Sequence, residues 1–181
     1  MYIAKELKQQ NITAYLLYMW QVEDLLRAYD CAAERLGNEY VPQFKQYTHE
    51  QRDAVSKWYA DLVEMMRSEG VMDKGHLQIN KNIILLLTDL HNELLHSPKQ
   101  PFYSAAYYKA LPFIVELRSK GSSQDHQELE NCFEALYGVM LLRMQQKPIS
   151  AETEKAVAEI TKLMTMLADY YKLEQEGKLE L

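Results

Sequence analysis

Little in this sequence would break a helix. Its 181 residues include 6 glycines and 5 prolines, too few to punctuate the many short strands of an all-β fold. Cysteine is scarcer still. Cys31 and Cys132 are the only two, which excludes a small scaffold stapled by several disulfides. Both lie in apolar stretches, so two reduced core thiols are expected, although one bridge between them is compatible with the sequence. Long apolar runs are missing as well. The longest is Ile83 to Leu87, against about 20 residues for a spanning helix, so no membrane insertion is expected. The segment MYIAKELKQQ is charged from Lys5 onward and has no apolar core of the kind a signal peptide needs. Positive charge is in deficit, with 20 Lys and Arg against 26 Asp and Glu and a net charge of −6. That balance disfavours nucleic acid and anionic membrane as partners. The usual chemistry-bearing motifs are also absent. There is no GxxxxGK[ST] phosphate loop, no HExxH and no GxSxG, and neither cysteine has a histidine beside it in sequence. No catalytic residue, metal ligand set or cofactor is therefore assigned.

What remains is helical periodicity. Hydrophobic residues make up 48% and charged residues 25%, the balance of a folded domain. A chain of this size buries about 70% of the surface it exposes when unfolded. The expectation is one cytoplasmic all-α domain over residues 1–181, without internal repeats. Six helices in a mainly up-and-down antiparallel bundle are predicted, with a kink or break at Pro112. The first runs from about Ile3 to Leu36, where Gly37-Asn38 stops it. Its apolar rows span roughly 180° of a wheel at 100° per residue, so neighbours should cover it on several sides. The connection from Gly37 to Tyr47 carries Tyr40, Val41, Phe44 and Tyr47 and should pack down. Thr48-His-Glu-Gln51 reads as a capping box for the second helix, which Gly70 ends. The third starts near Asp73 and stops before Pro98, which disfavours helix at Ser97, and the fourth opens after Pro101. Lys120-Gly-Ser-Ser123 reads as an exposed loop. The fifth contains Gly138, and Ser150 caps the sixth.

Glu23 is the residue that does not fit its surroundings. It falls among Leu16, Met19 and Leu26, where an unpaired charge is too costly to keep. A partner is predicted: Arg27 first, one turn on, or a Tyr, His or Asn from the third or fourth helix. In the third helix His76, Asn80, Ile83, Leu87 and His91 share a face. His76 and His91 are roughly 22 Å apart along the axis at 1.5 Å per residue, too far to share an ion. Lys74, Gly75, His76 and Lys81 gather at a helix start, where free N–H groups and the helix dipole favour anions. The candidate ligand-binding residues are thus Lys74, Gly75, His76, Lys81, Glu23, Arg27 and His91.

Three segments carry a resemblance: Tyr18-Met-Trp-Gln-Val-Glu-Asp24, Glu69-Gly70 leading to Lys74-Gly-His-Leu77, and Pro101-Phe-Tyr103 through Leu111-Pro112-Phe113. From about Ile3 to Tyr171 the chain resembles an all-helical Bacteroidetes family of roughly 180 residues and unknown function. The resemblance implies a cytoplasmic helical protein and brings no activity with it. Two functions are expected from the residues. The first is an interaction or structural protein that buries an apolar helix face in a homo-oligomer or a protein partner. The second is a module binding a small molecule or small anion, at the start of the third helix or between the first, third and fourth.

Overall fold

In the computed structural model, which describes residues 1–120 and 127–181, local capping chemistry sets most of the helix boundaries. Helix α1 spans Tyr2–Gln10 and α2 spans Ile12–Ala28. Between them Asn11 acts as a cap: its Oδ1 accepts from the Ala14 N–H at 2.9 Å and the Thr13 hydroxyl at 2.7 Å. A side chain that satisfies a first-turn donor starts a new helix, so the single long first helix expected from periodicity is divided here. It is cut again after Ala28. The Cys31 N–H reaches back to the Leu26 carbonyl and the Asp30 N–H to Arg27, with Asp30 at φ 56°. This is the Schellman stop, usually supplied by glycine.

Beyond it lie a short α3, Ala33–Arg35, a π turn over Leu36–Tyr40 and a 3-10 turn over Val41–Gln43. Leu36 and Val41 are buried, and Tyr40 meets Phe44 and Tyr59 edge-on, so this connection packs down as expected. Helix α4, His49–Ser68, opens on the full Thr48–Gln51 capping box and closes at Gly70, φ 69°. Its core row is Val55, Tyr59, Leu62, Val63 and Met66. Helix α5 is Gln78–His96, α6 Pro101–Lys120, α7 Glu128–Met144 and α8 Ala151–Gln175. Ser150 caps α8 by accepting from the Thr153 N–H.

The described residues thus hold eight α-helices and no strand. The all-α class is as expected; the count of six is not, because Asn11 and Asp30 divide the first helix into α1, α2 and α3. Nor is the kink or break at Pro112 matched. Helix α6 runs through it. Proline removes one N–H and leaves only the Tyr108 carbonyl without its partner. Pro112 is exposed, so water can serve that carbonyl. The loop expected at Lys120–Ser123 falls on 121–123, outside the described residues.

The chain divides into two compact units, one of Met1–Leu7 with Tyr18–Asn82 and one of Lys8–Leu17 with Ile83–Leu181. In the first, α3 and the turns after it lie on α4. In the second, α6, α7 and α8 pack on one another around Ala110, Ile114, Phe133, Ile160, Leu163 and Leu167, all buried. Each large side chain so buried stabilises by about 1.5–3 kcal/mol.

Candidate functional site

The start of α5 and the middle of α2 meet at Glu23. Its carboxylate is 0% exposed and accepts three hydrogen bonds. Oε1 takes the Leu77 N–H at 3.0 Å and the Asn80 Nδ2 at 2.6 Å. Oε2 lies 2.6 Å from His76 Nδ1. Helix geometry explains the set. The first N–H groups of a helix have no internal partner, and residues 76, 77 and 80 converge on the point where Glu23 arrives. A buried carboxylate is tolerable only when it is fully bonded in this way. The Asn80 amide spends its nitrogen on Glu23; its Oδ1 is buried without a partner among the described residues. The His76 ring lies flat on Trp20, centroids 4.0 Å apart and planes at 9°. That stacking and the Glu23 bond fix the ring, with Nδ1–H directed at the carboxylate.

Arg27 is not the partner of Glu23. Its guanidinium pairs with Asp24 at 2.9 Å and donates to the backbone carbonyls of Val71, at 3.1 Å, and Gly75. Sequence reasoning placed it first because an i, i+4 acid–base pair is the commonest local solution. The start of α5 offers Glu23 one backbone N–H and two side-chain donors, and Arg27 instead ties down the 71–75 segment. Gly75 has φ 84°, so its place there follows from backbone conformation.

The free helix start expected to receive an anion is already supplied with carboxylates. Glu23 takes the Leu77 N–H, and Glu69 Oε2 takes the Gln78 N–H at 2.6 Å. Lys74 and Lys81 are exposed. Of the seven nominated residues, Glu23 and His76 are joined directly, and Arg27 and Gly75 are joined to each other.

His91 has different company, all in the second unit. It is 4% exposed. Nδ1 lies 2.6 Å from the Tyr103 hydroxyl, and Nε2 lies 3.7 Å from Glu128 Oε1. Burial pushes the Tyr103 hydroxyl well above its ordinary range, so it stays protonated and can donate to Nδ1, which leaves Nε2–H facing Glu128. His91 is the largest influence lowering the Glu128 carboxyl; at 3.7 Å its Nε2–H faces the carboxylate just beyond ordinary hydrogen-bond length. Tyr107 donates to Glu128 at 3.3 Å and is pushed up to about 12, chiefly by burial. Sequence reasoning missed Glu128 and the pairing of His91 with Tyr103. The one available signal was that position 103 shares a helix with four other aromatics. Cys31 and Cys132 are both free and buried, and burial raises the Cys132 thiol to about 12.

The outer side of α6 is of another kind. Phe102, Tyr108 and Val115 are 80%, 68% and 58% exposed, with Ala105 and Pro112 exposed between them. Beside this stripe a shallow groove of about 490 Å³ runs between α6 and α8, lined by Ala106, Thr165 and Met166 and flanked by Lys109, Glu159 and Lys162. Among the described residues no group of three His, Cys, Asp or Glu could hold a metal ion.

A family model described as a domain of unknown function, DUF4924, matches residues 1–178. The chain belongs to this family. The match bears out the resemblance to a family of unknown function. No curated protein and no solved structure matches. No helix among the described residues is long and apolar enough to cross a membrane.

Proposed function

We propose that this DUF4924 chain is a cytoplasmic helical interaction protein that works by self-association and buries the outer side of α6 in doing so. One observation carries the reading: Phe102, Tyr108 and Val115 stand exposed on the same side of one helix. Single exposed apolar residues are ordinary, whereas a contiguous stripe marks an interaction surface. The adjoining groove lined by Ala106, Thr165 and Met166 extends the apolar area. A site for a small anion at the start of α5 has less behind it, since an incoming anion would have to displace the Glu23 and Glu69 carboxylates from the N–H groups it needs. Free, buried thiols support the cytoplasmic assignment. The test is sedimentation equilibrium. The wild-type chain should sediment as a dimer or larger, and Phe102→Glu as a monomer with an unchanged far-UV spectrum. A wild-type chain that stays monomeric at its highest soluble concentration would refute the proposal.

A further inference from the structure

We infer that His76 is a phosphoryl-acceptor histidine, its Nε2 held outward by Glu23 and Trp20 to take a phosphoryl group from a donor of the acyl phosphate or phosphoramidate class. The ring is fixed on two sides. Nδ1 lies 2.6 Å from the Glu23 carboxylate, and one face is stacked on Trp20 at 4.0 Å. A carboxylate only accepts, so in the neutral ring Nδ1 carries the proton and Nε2 the lone pair. Nothing among the described residues bonds Nε2, and it is open to solvent on a side chain that is 26% exposed. Glu23 is fully buried, so water screens its charge little. An imidazole backed by a carboxylate in this way is a stronger base at its other nitrogen.

The other described histidines lack this combination. His91 is buried with both nitrogens facing polar groups. His96 meets only a backbone carbonyl through Nδ1. His49 has Asp53 at 2.7 Å from Nδ1, but both side chains are exposed and water screens the pair. An outward nitrogen with no second and third ligand around it suits a covalent bond better than a chelated metal ion. Between residues 73 and 81 the exposed charges are Lys74 and Lys81 against Asp73, which favours an incoming anion. The bond needs none of the N–H groups that Glu23 and Glu69 occupy. In the step, the Nε2 lone pair bonds to the phosphorus of an acyl phosphate. The bond from phosphorus to the acyl oxygen breaks, and that oxygen leaves as a carboxylate with the electron pair. Nδ1 keeps its proton, and Glu23 balances the positive charge the ring gains.

Phosphoramidate, a small donor that requires no enzyme, tests this on the wild-type chain. Peptide mapping by mass spectrometry under alkaline conditions should place the phosphoryl group on His76, roughly tenfold or more faster than on any other histidine. Phosphorus NMR should report an Nε2 linkage, because Glu23 covers Nδ1. In urea the preference should disappear, since the fold creates it. Glu23→Gln, with its far-UV spectrum checked, should slow His76 roughly tenfold while His49 and His96 in the same chain react as before. Labelling of another histidine as fast as His76, no label on His76, or a preference that survives in urea overturns the inference. The wild-type map decides the matter even where the variant does not fold. The α6 surface takes no part in the reaction, so self-association stands or falls separately.

Discussion

The Glu23 side chain is fully buried and takes three donors. Its pairing with the α5 start is worth most as a constraint, since stranding one member of a buried charged set is far costlier than never having built it. Glu23→Gln keeps the size and loses the charge. An amide brings its own donor, so at least one of His76 Nδ1–H, the Leu77 N–H and the Asn80 amide would face N–H instead of oxygen. The expected loss is about 3 kcal/mol or more by urea denaturation. Asp24→Asn, one residue along on the exposed side and paired with Arg27, should cost under about 1 kcal/mol. Equal losses in the two variants would remove the special role given to Glu23. Glu128 makes a pH-dependent contribution instead. Its carboxyl titrates below its ordinary value of about 4.5, so the unfolded chain takes up the proton first as pH falls. The contribution is complete above about 4.5 and erodes as pH drops through the lower folded value. Melting temperature between pH 6 and 3 should fall more steeply for wild type than for Glu128→Gln; parallel curves would contradict the assignment.

The helices owe their ends to a repeated device and their interiors to tolerance of poor residues. Four of them stop on a Schellman turn with a left-handed residue after the cap: α2 at Asp30, α4 at Gly70, α7 at Gln146 and α8 at Gly177. The glycine stop at Gly70 is legible in sequence. Those at Asp30 and Gln146 are not, because a residue with a Cβ adopts that conformation only where the surroundings hold it. Gly138 shows the opposite case. It sits inside α7, where glycine costs about 1 kcal/mol against alanine, and an added Cβ would meet nothing within 4 Å. Gly138→Ala should therefore stabilise by about 0.5–1 kcal/mol and raise the melting temperature by roughly 1–4 °C. A drop in melting temperature would mean that something packs closely there after all.

For the whole molecule, stability and assembly are linked. If folded chains associate and unfolded ones do not, mass action makes the melting temperature rise with protein concentration. The wild-type curve should move upward on concentration, while Phe102→Glu should melt at one temperature throughout. A concentration-independent wild type would separate the exposed α6 stripe from assembly.

The sequence by itself determined that this protein is helical, where α4 and α8 begin, and that Glu23 needed a partner. Those features rest on interactions spanning three or four residues: helical period, capping by Thr48 and Ser150, and the cost of an acid set among Leu16, Met19 and Leu26. The tertiary structure decided which residues answered. Glu23 is met by His76, Leu77 and Asn80, more than fifty positions away, and His91 by Tyr103 and Glu128 on two other helices. It also decided that the first helix breaks at Asn11 and Asp30 while α6 passes through Pro112. Caps and breakers state what each short segment prefers. Packing selects among those preferences according to which buried polar groups must be satisfied and which can be left to water.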